Sequence, residues 1–292
     1  MNRTTMNLKN IIILNIILLL IGCENKSENQ SIEKIRIISL SPHITEIIYA
    51  LDAEDELIAV TDFCNYPPQA KLKSRIGGLI NPNIEKIVSL KPTHLFGIPS
   101  HNNLNNELNK FGLQIIMMPN ENINDIISTI EQIGEAIDKV HSAAKLNERI
   151  SESLSKAKTN SKNKNTISAM LIIGREKGTL RNIIVAGADT FLDEMWQITG
   201  GRNIFSDLPS RYGSVSLEEI LTRNPDVILE FIVNETPKLT RLSKINEWDL
   251  LNNINAVKNK NIFQISGSHT LIPGPRLGLL ANDMAAVIKM LQ

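Results

Sequence analysis

The chain has 292 residues, 42% hydrophobic and 21% charged, which is the balance of a folded protein with room for two lobes of roughly 100–150 residues each. Its 31 basic and 31 acidic side chains cancel, which excludes nucleic acid as a partner, because phosphate binding needs a basic excess gathered on one face. Aromatic residues make up only 4%, so each one that falls in a loop is informative.

The amino terminus is organised for export. Arg3 and Lys9 give a basic start, and residues 11–21 form an aliphatic run interrupted only by Asn15. A membrane-spanning helix needs about 20 apolar residues, so this shorter run suits the core of a signal peptide. It closes on Leu20-Ile21-Gly22-Cys23, which resembles a bacterial lipobox and makes Cys23 the residue expected to carry lipid. Removal of residues 1–22 leaves a small acidic excess. With Cys23 acylated, Cys64 has no partner for an intrachain disulfide, and the fold must be held by packing. Residues 24–34, opening with ENKSENQS, read as a flexible tether between lipid and globule.

The folded part starts at residue 35. Residues 35–40 read as a buried strand broken by Ser41-Pro42, helical spacing follows from Thr45, and residues 57–60 form a second strand leading into the loop 61–68. Further strands are expected at 94–97, 114–118, 167–174, 183–186, 227–231 and 262–265, with helical patterns between them, such as 123–137. This alternation predicts α/β layers around mostly parallel sheets. Residues 141–163 differ. Free of Pro and Gly, they offer only a thin apolar stripe of Ala144, Leu146, Ile150 and Leu154, the pattern of one well-solvated helix. Its mid-chain position predicts an amino-terminal lobe over 35–140, a connecting helix over 141–163 and a carboxyl-terminal lobe over 164–292.

A weak internal repeat supports two related lobes. NIEKIVSLKPT from Asn83 is echoed by SLEEILTRNPD from Ser216: a good N-cap, a short amphipathic helix, a Pro stop and a strand. Each copy places a glutamate at the second helical position, Glu85 and Glu218.

No nucleophile elbow, phosphate loop or zinc-protease motif occurs, and Gly187-Ala188-Asp189 and Gly200-Gly201 read as strand-to-helix turns, so neither an enzyme nor a resident cofactor is expected. The histidines His43, His94, His101, His141 and His269 are scattered without metal-ligand spacing. His101 and His269 each follow a strand and are candidates to reach a ligand, with a solvated surface role as the alternative. His43 sits just past the first strand, where it could serve as a metal ligand, and His141 reads as the start of the connecting helix. Cys64 reads as a free, partly buried thiol rather than a soft metal ligand.

RIISLSPHITEIIYAL, DFCNYPPQA, NIEKIVSLKP, GADTFLDEMWQITGGRNIF, VSLEEILTRNPDVIL and GPRLGLLA, in this order across roughly residues 35–292, resemble the iron-siderophore, haem and cobalamin class of ABC-importer substrate-binding proteins. The Tyr66-Pro67-Pro68-Gln69-Ala70 segment is most similar to cobalamin-binding receptors. The resemblance implies two Rossmann-like lobes with mostly parallel sheets, joined by a single long backbone helix that limits closure, with ligand held between them. It implies a monomer that delivers its ligand to a dimeric ABC transporter permease.

On this resemblance Glu85 and Glu218 dock onto basic residues of the permease, setting orientation and on-rate. The alternative is helix-terminus stabilisation, which suits Glu219 better because Ser216-x-x-Glu219 is a capping box. Phe63, Tyr66 and Pro67 are expected at the cleft entrance, the prolines stiffening the loop and the rings gripping a flat or macrocyclic ligand. Covering the lobe core is their alternative role. Tyr212, in the turn 209–213, is the carboxyl-lobe counterpart or a plain surface residue. Leu79 and Pro99 stand where cobalamin receptors tend to place further aromatics, which leaves room for haem, a ferric siderophore or another corrinoid. Arg175 and Arg276 are candidates to meet an anionic ligand group or to tie their own lobe together. The expected protein is a lipid-anchored envelope receptor for a metal-centred ligand, with a cobalamin or corrinoid favoured, haem or a ferric siderophore second and a divalent metal third. A non-transport lipoprotein, sensor or adhesin, is the reading from another class.

Overall fold

The computed structural model describes residues 34–158, 166–234, 236–242 and 247–291. The signal segment, Cys23, nearly all of the tether and the last residues of the expected connecting helix lie outside them. Five strands form the first sheet: β1 (Ile37–Ser39), β2 (Leu57–Val60), β3 (Ser74–Arg75), β4 (His94–Gly97) and β5 (Ile115–Met117). They run parallel in the order β3-β2-β1-β4-β5. That is a doubly wound order whose switch point lies between β1 and β4, and ligands of such sheets sit outside the carboxyl ends of the strands there.

Helices α1 (Pro42–Ala50), α2 (Ile84–Ser89), α3 (Asn102–Asn109) and α4 (Ile123–Ala136) belong to this half. Ser41-Pro42 ends β1 and starts α1, since proline suits the first helical turn, where its missing N–H has no acceptor to satisfy. Asn83 caps α2 by accepting from the Lys86 N–H at 2.9 Å.

The second sheet contains β6 (Ile167–Gly174), β7 (Ile183–Ala186), β8 (Gly201–Asn203), β9 (Tyr212–Val215), β10 (Val227–Ile232), β11 (Lys238–Arg241) and β12 (Ile262–Ser266). Its centre is parallel: β6 pairs with β10 and β8, and β10 with β12. β7, β9 and β11 attach through antiparallel pairings toward the edges. Continuous burial of Val227 to Phe231 along β10 is the mark of a strand covered on both faces. Around this sheet lie α6 (Phe191–Ile198), α7 (Leu217–Arg223), α8 (Asn255–Lys258) and α9 (Leu277–Leu291).

The chain passes from one sheet to the other through two successive helices, α4 and α5 (Val140–Ala157). The buried stripe of α5 is Ala143, Leu146, Ile150 and Ala157, so the expected stripe is shifted: Ala144 is exposed. Close approach to α4 selects this face, because a Cβ at Gly134 would stand 2.5 Å from that of Ala143. The described residues from Ile35 onward form one compact unit, in which a single apolar cluster runs from Ile37 and Phe96 through α1, α4, α5 and α9 to Leu171 and Phe231. Separate clusters pack the other faces, around Ile38 and Leu95 in the first lobe and Ile228 and Trp248 in the second. Among the described residues, no helix is long and apolar enough to cross a membrane.

Candidate functional site

Carboxyl ends of strands from both sheets lead to one seam. From the first lobe come α1 after β1, the loop 61–67 after β2 and the turn around His101 after β4. From the second come Ser268 and His269 after β12 and the segment 274–276 before α9. Contact between the lobes is direct, since a Cβ on Gly274 would stand 3.4 Å from His43 Cβ.

Arg276 is the centre of this seam. Its Nε donates to Glu46 Oε2 at 2.8 Å and its Nη2 to Glu46 Oε1 at 2.5 Å, a two-pronged ion pair from one lobe to the other. Nη1 donates to Ser268 Oγ at 2.8 Å and Nη2 to the Ser268 carbonyl at 2.9 Å. The guanidinium lies 3.7 Å from the centroid of the Tyr66 ring, a cation–π contact. Burial pushes Glu46 up to about 7, against the pull of Arg276 and the more distant His269.

The first-lobe rim is apolar and open. Phe63 is 60% exposed, Tyr66 40% and Ile80 79%. Phe63, Gly78, Leu79, Ile80 and Asn81 line a shallow groove of about 340 Å³. Pro67 faces a different groove, shared with Tyr49, Gln69 and Leu72.

His101 is buried with both ring nitrogens engaged. Nδ1 accepts from the Ile98 N–H at 3.1 Å, so the proton resides on Nε2, which donates to the Leu79 carbonyl at 2.8 Å. Its place is under Leu79, holding that residue at the rim, and burial lowers its pKa. His43 is buried at the switch point, bonded to Ser41 Oγ through Nδ1 at 2.9 Å, with no partner for Nε2 among the described residues. Burial, with His101 nearby, pushes it down to about 3, so it is a neutral imidazole. His269 donates from Nε2 to Asp283 Oδ2 at 2.9 Å. No cluster of three His, Cys, Asp or Glu able to hold a metal occurs among the described residues. Cys64 is fully buried beside Thr61.

In the second lobe, Arg175 donates from Nε to Glu230 Oε1 at 2.9 Å and from Nη1 to the Thr179 carbonyl at 2.7 Å. Glu230 also accepts from Trp248 Nε1 and Gln264 Nε2, which makes this a buried network tying β10 to β12, to the residue that follows β6 and to the 3-10 turn Trp248–Leu251. Tyr212 is not in a turn, as its Pro and Gly neighbours suggested, but opens β9 opposite Ala186. It packs on the cluster shared by both lobes, and its phenol is pushed up to about 12 by burial and the first-lobe Glu121 carboxylate. Glu85 and Glu218 both stand exposed in the first turns of α2 and α7, and the expected capping box falls to Glu219, which accepts from the Ser216 N–H at 2.8 Å.

The structure therefore gathers Phe63, Leu79 and His101 on one rim and joins Tyr66 to Arg276 across the seam. Arg175 stands apart, inside the second lobe. The residue that sequence reading passed over is Glu46. Its signal was a lone carboxylate inside the apolar run Ile44 to Ile48, where an unpaired charge is too costly to keep.

Residues 37–268 match the family model of the periplasmic binding protein. The chain belongs to this family. It is accordingly a binding protein and not an enzyme. A vitamin B12-binding protein of Vibrio parahaemolyticus is 27% identical over 250 residues, covering 85% of this chain and 86% of the relative. Two solved structures share the fold of this periplasmic binding protein at 26% identity. The periplasmic vitamin B12 binding protein BtuF of Vibrio cholerae superposes with a TM-score of 0.73, over 87% of this chain and 96% of that one. The periplasmic heme binding protein HutB of the same species gives 0.69, over 88% and 98%.

Proposed function

We propose that this protein is the lipid-anchored receptor of an ABC importer, taking a cobalamin or related corrinoid between its lobes and releasing it to the permease. The observation that carries this reading is the Tyr66 ring: 40% exposed, at the carboxyl end of the first sheet, and held in place by a cation from the opposite lobe. Three residues before it in the same loop, Phe63 joins Leu79 and Ile80 in an apolar groove suited to the face of a macrocycle. Similarity to vitamin B12-binding proteins along most of the chain supports the same ligand class.

The remaining parts of the reading come from the sequence. Cys23 carries the lipid, placing the globule on the outer side of a membrane, and Glu85 and Glu218, both exposed, meet the permease. Helix α5, gripped by α4 and α9, braces the two lobes so that they open only modestly.

Haem is the second reading, favoured by the likeness to the heme binding protein HutB. Against ligation of haem by His101 stands the engagement of both its ring nitrogens, whereas His269 Nδ1 and His43 Nε2 are buried without a partner among the described residues. Trp196 and Trp248 are fully buried, so their fluorescence is a poor probe of the rim. Calorimetry of the chain starting after Cys23, titrated with cyanocobalamin, hemin and ferric chelates, is the direct test. Binding of cyanocobalamin with a defined stoichiometry, weakened about tenfold or more but still measurable in Tyr66→Ala, upholds the reading. Binding of hemin alone replaces it with the second.

A further inference from the structure

Sequence alone leaves Arg276 free to meet an anionic ligand, but in the structure four hydrogen bonds from its guanidinium go to protein: two to Glu46 and two to Ser268. A guanidinium has five N–H groups, so little of its donor capacity remains for a ligand. What it still presents is its flat face, and that face covers the Tyr66 ring.

We propose that Glu46 is a positioning residue for ligand binding: it fixes the plane of the Arg276 guanidinium, and that plane fixes the ring of Tyr66 at the mouth of the seam. The proposal rests on the reading of Tyr66 as a wall of the binding site. Glu46 lies in α1 among core residues and is 3% exposed, so its carboxylate has one orientation, set by the helix. A two-pronged contact locks both translation and rotation of the guanidinium, which a lysine ammonium, lacking a plane, does not allow. Ser268 holds the same group from the second lobe. The loop bearing Tyr66 is tied at its base by Arg75, whose Nη1 donates to the carbonyls of Thr61 and Cys64. Those bonds fix the backbone of the loop and leave the ring to be placed by what it stacks on.

The arrangement also couples the ring to the lobes. Glu46 and Tyr66 belong to the first lobe, whereas Arg276 and Ser268 belong to the second. Lobe separation that draws Arg276 away frees the Tyr66 ring and strands the Glu46 carboxylate together. The ring is therefore presented in one orientation only while the lobes stay in register.

The chain has three tyrosines, Tyr49, Tyr66 and Tyr212, so fluorotyrosine labelling gives three resonances, with that of Tyr66 assigned by its loss in Tyr66→Phe. In ligand-free Glu46→Gln and Arg276→Lys the Tyr66 resonance should move or broaden while that of Tyr212 keeps its place. Cyanocobalamin affinity should fall roughly tenfold in each. In a Tyr66→Leu background the Glu46→Gln change should cost less than twofold, because the ring it serves is gone. An unmoved Tyr66 resonance in both variants, or a full tenfold loss persisting without the ring, overturns the proposal. Arg276→Lys keeps the charge and guards against a Glu46→Gln protein that fails to fold. A parent protein that binds no cyanocobalamin, yet shows the Tyr66 shift in both variants, supports the positioning and overturns only the choice of ligand.

Discussion

The backbone N–H of Ile123 donates to the Glu194 carboxylate at 2.6 Å, joining the first turn of α4 in one lobe to α6 in the other. Beside it the Phe191 N–H donates to the Glu121 carbonyl at 2.7 Å. This second seam meets the first-turn donors of both helices with acceptors from the opposite lobe, a use of helix ends that otherwise need caps. Glu194→Ala should leave the Ile123 donor unpaired and cost about 1.5–3 kcal/mol, the range for a bond to a charged group. Urea unfolding checks this, and Glu194→Gln, which keeps an acceptor oxygen, should lose less. Equal midpoints for parent and alanine variant would show the contact to be idle.

Acid should unfold the protein partly through His43. Its pKa is about 3 in the fold against 6.5 outside it, because burial disfavours the imidazolium. The unfolded chain therefore takes up this proton first as pH falls. The stability it contributes is fully present above about 6.5 and is lost toward 3, at up to about 1.4 kcal/mol per pH unit. Glu46 has the opposite sign, since its folded pKa is raised from 4.5 to about 7: its contribution is full below 4.5 and is lost as pH rises through 7. Comparing parent with His43→Gln removes the common Glu46 slope. The melting-temperature difference should move in favour of the variant on acidification from pH 7 to 4, and a difference constant over that range would contradict the assignment.

Gly278 is a packing requirement. A Cβ there would stand 2.0 Å from Ser153 Oγ and 2.6 Å from Ser153 Cβ, so α9 and α5 touch through a missing side chain. Gly278→Ala, in the first turn, should gain less than the roughly 1 kcal/mol of a helix interior and lose about 1–3 kcal/mol through overpacking, giving a net loss. Ser153→Gly in the same protein should restore part of it. A stabilised Gly278→Ala protein would mean that the two helices separate at little cost.

Much of this fold was legible because periodicity survives burial. Residues 57–60, 94–97, 167–174 and 183–186 were expected as strands and are β2, β4, β6 and β7 without adjustment. β3, β8, β9 and β11 escaped because they are short and polar and gain their partners only from distant chain, as Ser74–Arg75 does from Ala59 and Val60. The same limit hid the centre of the site. Glu46 and Arg276 are 230 residues apart: the apolar run around Glu46 signals that it needs a partner, but nothing local to either residue says which. His101 was misleading for the opposite reason. Its loop position suggested an open imidazole, whereas a single 3-10 turn, Pro99–His101, folds the ring back onto Ile98 and Leu79.

The three acids of the internal repeat should separate cleanly by experiment. Glu85 and Glu218 are exposed, and no hydrogen bond or ion pair of their side chains is found among the described residues, so replacing both by alanine should change stability by no more than about 0.5 kcal/mol. Glu219 accepts from the Ser216 N–H and hydroxyl, which holds its carboxyl below the usual range, and Glu219→Ala should lower the urea midpoint through the broken cap, where the Glu85 and Glu218 changes do not. Transport should show the reverse order. In cells fed cyanocobalamin, the Glu85→Ala and Glu218→Ala pair should abolish uptake while leaving affinity for the free ligand within twofold, because charge at a docking rim sets encounter with the permease and leaves the seam untouched. Glu219→Ala should transport normally once its lower stability is allowed for. Uptake that survives the double change but fails in Glu219→Ala would move the docking surface to the other face of α7 and end the symmetric role given to the repeat.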